Sequence, residues 1–357
     1  MSMTAQPIAD RPQPCHVPGE AVRARGKPLA SLSLDLDNKW SYMKTHGDAG
    51  WEVYPSYFNL LVPRVLEMLK RHGLTITFFV VGQDAALAQN ADALKQIAAA
   101  GHEIGNHSFR HEPWLHLYSD AEIEHELRTA QETIESLTGY HPVGFRGPGF
   151  SCSAATLATL KSLGYRYDAS TFPTFLGPLA RLYYFMKSSL SRQELQTRKA
   201  LFGRFREGFR PLKPYRWRTG AGELMEIPVT TMPIFKLPIH ASYILYLSCY
   251  SRALAMAYFR TALLLCRLTG TPPSLLLHPL DFLGGDDEKD LSFFPAMNLP
   301  GAAKLKMMDS ILWMLARHYQ VVPMREHAAQ IEAGHRRTPL REPRFAGSGT
   351  ALPDRKN

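Results

Sequence analysis

Apolar and polar positions along this 357-residue chain alternate between strand-like and helix-like periods. Leu29–Leu36 is a short alternating run and predicts a strand. Tyr57–His72 carries Leu60, Leu61, Val65, Leu66 and Leu69 at helical spacing, and Gly73 follows as a C-cap. Thr75–Val81 is β-branched and aromatic, as strands are. Ala85–Ala100 predicts an Ala-rich helix ending at Gly101, and Glu103–Asn106 a short strand. Ser119–Thr138 reads as a helix, with Ser119 as N-cap and Glu122 placed for a capping box. The cycle then repeats: strand Gly144–Arg146, helix Ala154–Leu163 closed by Gly164, and strand Tyr165–Asp168. Strands Leu224–Thr230 and Ser274–Leu277, helix Lys304–His318 and strand Gln320–Pro323 complete it. Strands alternating with helices predict a parallel α/β sheet or barrel, and no repeat of solenoid type is present.

The ends break the pattern. Met1–Lys27 and His335–Asn357 are polar and rich in Pro and Arg, which predicts disordered tails around a domain at 28–334. A hydrophobic content of 45% and a charged content of 20% are ordinary for a globular protein. The formal charge of +9 is not evenly spread. Eleven Lys and Arg against Glu194 and Glu207 place a net +9 within Leu176–Gly220 alone. Cys15, Cys152, Cys249 and Cys266 show no CxxC spacing and read as free thiols of a reducing compartment. The first residues lack the apolar core of a secretory signal. The longest uncharged run, Leu237–Ser251, is too short to span a bilayer. These features predict a cytoplasmic location.

Candidate chemistry collects at the ends of the predicted strands, where parallel α/β folds place function. His107 and His111 are four residues apart, and on a helical turn both rings share a face and can meet one metal ion. Asp35 and Asp37 are two apart on an extended segment, so both can face one side. One carboxylate with two imidazoles makes a three-ligand site with open positions. The second carboxylate can then act as general base toward water. His278 can protonate a leaving group, and a carboxylate such as Asp168 near it favours the imidazolium. Arg146 can neutralise and orient the free Asp. This inventory fits metal-assisted hydrolysis of an amide or ester. Each residue has a plainer alternative: a loop cap for the Asp pair, a backbone-bonded strand-end His278, a surface ion pair for Arg146. Cys152 reads as a small packed thiol.

Five motifs, in order, resemble those of the polysaccharide deacetylases of carbohydrate esterase family four, with the NodB-homology domain. Ser33-Leu34-Asp35-Leu36-Asp37 is similar to the first in an Asp-x-Asp form, which implies Asp35 as base and Asp37 as ligand. His107-Ser108-Phe109-Arg110-His111 matches the second, with both His as ligands. Phe145-Arg146-Gly147-Pro148 resembles the third, with Arg146 positioning the base. Tyr167-Asp168-Ala169-Ser170 resembles the fourth, whose Asp tunes the catalytic His, and Leu275-Leu276-Leu277-His278 the fifth, giving His278 as general acid. The family often has an aromatic after the third-motif Pro, where this chain has Gly149 and then Phe150. The resemblance implies that the N–H there helps hold the oxyanion, and both residues are substrate-site candidates. It also implies a distorted (β/α) barrel of about seven parallel strands and a divalent metal, Zn²⁺ first. Relatives with the Asp-x-Asp form act on peptidoglycan, lipid-linked amino sugars and cyclic amides.

Two insertions fall outside the resemblance. Residues 176–220 interleave basic residues with Phe202, Phe205, Phe209, Tyr215 and Trp217. That mixture suits an anionic membrane surface or, less well here, single-stranded nucleic acid. Residues 234–268 predict a helix with Leu254, Tyr258 and Leu265 on one face and Arg252, Arg260 and Arg267 opposite, packed on the barrel or lying at an interface. The sequence therefore predicts a metal-dependent carbohydrate N-deacetylase at the inner membrane face, with a lipid-linked or glycolipid amino sugar as substrate. The alternatives are a non-catalytic carbohydrate- or membrane-binding relative and a deformylase.

Overall fold

The computed structural model describes residues 26–176, 205–334 and 338–345, without the side chains of 205 and 206. Its strands are β1 (Leu29–Leu36), β2 (Thr77–Val80), β3 (Glu103–Asn106), β4 (Gly144–Phe145), β5 (Tyr167–Asp168), β6 (Tyr215–Thr219), β7 (Gly222–Glu226), β8 (Ser274–Leu277), β9 (Gln320–Val322) and β10 (Leu340–Arg341). Seven of them run parallel in the order β7-β5-β4-β3-β2-β1-β8, the strand number that the sequence predicts. β9 adds in parallel to the start of β1, while β6 pairs antiparallel with β7 and carries β10. The far ends of the run approach each other just past β7. Thr230 N–H donates to Ser274 O at 2.9 Å, and Ser274 N–H to Thr230 Oγ1 at 2.8 Å.

Helices cover the outer faces with the stripes their sequences predict. Phe58–Arg71 buries Phe58, Leu61, Val62, Val65, Met68 and Leu69. Asp120–Thr138 is closed by the predicted capping box and ends at Gly139, a left-handed C-cap that glycine adopts without strain. Its stripe of Ile123, Leu127, Ala130 and Ile134 is interrupted by buried Glu126, whose purpose appears at the site below. β1 is buried along almost its whole length, as a central strand covered on both faces must be.

Four features differ from the sequence reading. The predicted helix Ala85–Ala100 is broken, because Leu87 is extended while Asn90 Nδ2 donates to Asp84 Oδ1 at 2.9 Å. A helix not predicted, Lys39–His46, starts just after Asp37, with the Asn38 side chain accepting from Lys39 N–H. In helix Arg252–Thr269 the core face is Ala255, Phe259, Ala262, Leu263 and Cys266, and Leu254 points outward. Phe259 and Leu263, near the face that the sequence reads as polar, are thus part of what it packs on the barrel. Part of the expected C-terminal tail is ordered as β10, and Phe345 packs on Trp217. The rest of both tails, and 177–204 of the basic insertion, lie outside the described residues.

The remainder of that insertion belongs to the sheet. In β6, Tyr215 and Trp217 point into the core while Arg216 pairs with Glu223 and Arg218 with Glu342. Arg210 lies over the Trp217 and Phe345 rings. Tyr215 and Trp217 are therefore core residues, which corrects their expected place at a membrane surface. Among the described residues, no helix is long and apolar enough to cross a membrane.

Candidate metal centre

Strand register gathers the site. Leu36 is opposite Val80, Val80 opposite Asn106, Asn106 opposite Phe145, Phe145 opposite Asp168 and Asp168 opposite Glu226. On the other side Leu34 is opposite Leu277. Asp35, His107, Arg146 and His278 thus leave neighbouring strands at one level.

Asp37, His107 and His111 offer three donor atoms within 4.8 Å of one another. Asp37 Oδ1 is 2.9 Å from His111 Nε2 and 3.3 Å from His107 Nε2, and is otherwise without a hydrogen bond. His107 Nδ1 lies 2.6 Å from the Arg146 carbonyl, which only a protonated Nδ1 satisfies. That bond leaves the Nε2 lone pair for a cation, the usual orientation of a metal-binding imidazole. Burial resists ionisation of Asp37, but His111 and His107 hold its carboxyl far below the usual range. Burial opposes charge on His107 too, yet Asp35, Asp37 and the Arg146 carbonyl together raise its pKa. A converging carboxylate and imidazole with matched lone pairs fit a divalent ion.

The two His meet without a helical turn. Ser108 and His111 have φ of 63° and 55°, so the segment is a tight left-handed turn, a correction to the predicted geometry. Side chains hold that turn: Ser108 N–H donates to Asn106 Oδ1, His111 N–H to Ser108 Oγ, and Phe109 and Arg110 N–H to Glu126 Oε2. Glu126 therefore interrupts its helix stripe in order to satisfy backbone donors under the site. Tyr57 donates its hydroxyl proton to the Asp37 carbonyl, and Asp84, beneath Asn38 and Trp40, is pushed by burial up to about 7.

Asp35 and Arg146 form a buried ion pair at 2.6 Å. Arg146 also donates to Ser33 Oγ at 2.8 Å and to the Ala169 carbonyl at 3.0 Å, and lies 4.4 Å over the Phe79 ring. Arg146 is fully buried, so the surface-pair alternative fails.

Asp168 is placed differently from the expectation. Its partners are Ser170 Oγ at 2.6 Å, Cys152 Sγ at 3.7 Å and the carboxyl of Glu226, and His278 is not among them. Burial and the neighbouring Asp168 push Glu226 well above the usual carboxylate range, so the pair shares a proton. Glu226, missed in the sequence, accepts from Thr171 N–H and Oγ1 and from Trp217 Nε1. A lone Glu closing a strand was its only signal.

His278 instead lies beside Ser242, with its Nδ1 at 3.2 Å from Oγ, and beside the ring of buried His240. Phe150 and Phe172 stack at 4.9 Å, and Phe172 continues the wall to His240 and Tyr243. The Phe150 N–H is used within its own turn, toward the Gly147 carbonyl, so Phe150 offers a ring and not an oxyanion donor. Gly149 has φ 57°, and a Cβ there would come 3.2 Å from Pro113, which explains glycine where an aromatic was expected.

Comparison with known proteins agrees with this frame. Residues 47–167 match the family model for polysaccharide deacetylase. The chain is 33% identical to a chitin deacetylase of Colletotrichum lindemuthianum over 29% of this chain and 42% of that protein. It is 29% identical to a peptidoglycan deacetylase of Helicobacter pylori over 40% of this chain and 49% of that protein. A presumed polysaccharide deacetylase from Mycobacterium smegmatis shares the fold across 95% of this chain and 99% of its own, with a TM-score of 0.55 at 21% identity. Over residues 47–167 the chain is thus similar to the polysaccharide deacetylase family. It spans about half the length, or less, of these curated relatives.

Proposed function

We propose that this protein is a metal-dependent carbohydrate N-deacetylase. The observation that carries the reading is the convergence of Asp37, His107 and His111 beside a second carboxylate, Asp35, fixed by a buried arginine. Asp37, His107 and His111 hold the ion, with Zn²⁺ the first choice for a donor set of two imidazoles and one carboxylate. When bound, the ion supplies a Lewis acid that polarises the amide and lowers the pKa of water. Asp35, oriented by Arg146, takes the proton of the attacking water. His278 returns a proton to the departing sugar amine. The Phe150–Phe172 wall borders the acyl group.

The relatives named for chitin and peptidoglycan support an N-acetylated amino sugar as substrate. Support for a lipid-linked sugar at the inner membrane face comes from the charge of 176–220 alone. The membrane contact is then made without Tyr215 and Trp217.

The test is mass spectrometry of N-acetylglucosamine oligomers and of amino-sugar lipids incubated with the purified chain and Zn²⁺. Loss of an acetyl group that chelator abolishes is the expected result. Asp35→Asn and His278→Ala should each keep Zn²⁺ binding while lowering kcat by about 10²–10⁴. Loss of a formyl group instead would make the enzyme a deformylase, and full Zn²⁺ loading without acyl loss from any of these would mark a binding protein.

A further inference from the structure

We infer that Ser242 and Asp281 are the positioning residues of His278, in the place that the sequence assigned to Asp168. The inference rests on the proposed role of His278 as general acid. Ser242 Oγ lies 2.7 Å from Asp281 Oδ1 and 3.2 Å from His278 Nδ1. A hydroxyl has one proton. The short contact to a carboxylate commits it to Asp281, so Ser242 Oγ faces His278 with its lone pair. His278 Nδ1 must then carry a proton, and the basic or acidic atom presented to a substrate is Nε2. This is the orienting logic of a carboxylate behind a catalytic imidazole, here passed through one hydroxyl.

The surroundings hold this arrangement in place. Asp281 is 1% exposed, and its second oxygen accepts the His278 backbone N–H at 2.8 Å. The turn Pro279–Asp281 is pinned from below by buried Lys304, whose Nζ donates to the Leu280 carbonyl at 2.7 Å. Ser242 stands in the first turn of helix Ala241–Ser248, whose N-terminal end favours a nearby carboxylate. His240 also faces His278, 5.6 Å away between ring centroids. Asp168 sits apart in its own pair with Glu226.

The experiment is ¹⁵N NMR of the full chain labelled at histidine, with His278 assigned by the signal missing in His278→Gln. The expected result, read at a pH where the ring is neutral, is protonation of His278 at Nδ1 and not at Nε2. Ser242→Ala should shift it toward the Nε2-protonated form, Ser242→Thr should restore the wild-type signature, and Asp168→Asn should leave it unchanged. A wild-type His278 protonated at Nε2, or one indifferent to Ser242→Ala in a protein folded by circular dichroism, would overturn the inference. So would a shift caused by Asp168→Asn alone. On N-acetylglucosamine oligomers, Ser242→Ala and Asp281→Asn should lower kcat about 10²-fold with KM little changed. The NMR signature does not need turnover. If it holds in a protein without deacetylase activity, the positioning stands and the proposed function falls.

Discussion

Replacing Arg146 by Met tests whether the site is built on a buried ion pair. Methionine approximates the arginine stem and has nothing to donate. The change strips Asp35 of its 2.6 Å partner, Ser33 Oγ of a 2.8 Å donor and the Ala169 carbonyl of a 3.0 Å donor, all without solvent access at Arg146. Ser33 keeps its bond to the Leu275 carbonyl, so the main loss is the uncompensated carboxylate. Breaking one side of a buried pair costs about 3–5 kcal/mol, a large part of a typical total of about 5–15 kcal/mol. Asp35→Asn strands the guanidinium and falls in the same range. The double variant removes both charges, so its loss should be smaller than the sum of the single losses by about 1–3 kcal/mol. Urea unfolding followed by circular dichroism measures all four proteins, with chelator present so that metal binding adds nothing to the folded state. A loss below about 1 kcal/mol for Arg146→Met, or strict additivity in the double variant, would show that water reaches this pair and that Arg146 does not fix Asp35.

Calorimetric titration with Zn²⁺ should show binding to the wild type and to Asp35→Asn but not to Asp37→Asn or His111→Ala; equal binding by all four would remove the metal centre. Because Asp168 and Glu226 share a proton, Asp168→Asn or Glu226→Gln should destabilise by less than about 1.5 kcal/mol, whereas Glu226→Ala, which strands Trp217 Nε1 and Thr171, should lose about 2–4 kcal/mol. Burial lowers His327 to about 4, so the folded state binds fewer protons than the unfolded chain between there and about 6.5. The stability of the wild type relative to His327→Gln should therefore rise with pH across that window in chelator, and a flat difference would mean that His327 reaches solvent. Asp84, raised to about 7, has the opposite sign: its contribution is present near pH 4 and is lost as pH rises toward 7, which the difference from Asp84→Asn in unfolding free energy measures.

Local signals were legible where one residue type does one job. Ser119 with Glu122 and the strand Leu29–Leu36 appear in the structure where the sequence places them. The site was legible in part because its members are consecutive with strand ends, and strand ends of a parallel sheet are level. The missing members are held by tertiary contacts with no local signature. Glu126 looks like a blemish on an apolar stripe until the backbone donors of Phe109 and Arg110 are beside it. Asp281 is local to His278, three residues on, but Ser242 comes from a helix start 36 positions before it, and only the fold brings that hydroxyl to the ring. The His pair converges for a reason that i, i+4 counting does not contain, since its turn is left-handed and depends on Asn106 and Glu126.

The basic insertion shows how a charge count can hide a strand. Tyr215-Arg216-Trp217-Arg218-Thr219 alternates aromatic and basic residues with a period of two, the pattern of a half-buried strand. Counting its charges together with the residues before it made it look like one cationic surface. In the sheet the two sets separate. Tyr215 and Trp217 pack under the antiparallel pair of β6 and β7, and Trp217 Nε1 finds Glu226 at 2.9 Å. Arg216 and Arg218 stay outside and meet Glu223 and Glu342, exposed pairs worth about 0–1 kcal/mol each. Those two arginines are partly neutralised, and Arg210 is folded over Trp217, so a membrane held by this insertion meets fewer free cations than the count of eleven. The aromatic that seemed placed for a bilayer donates instead to the carboxyl beside Asp168. The insertion thereby reaches Glu226, the buried carboxyl that burial and Asp168 push well above the usual carboxylate range.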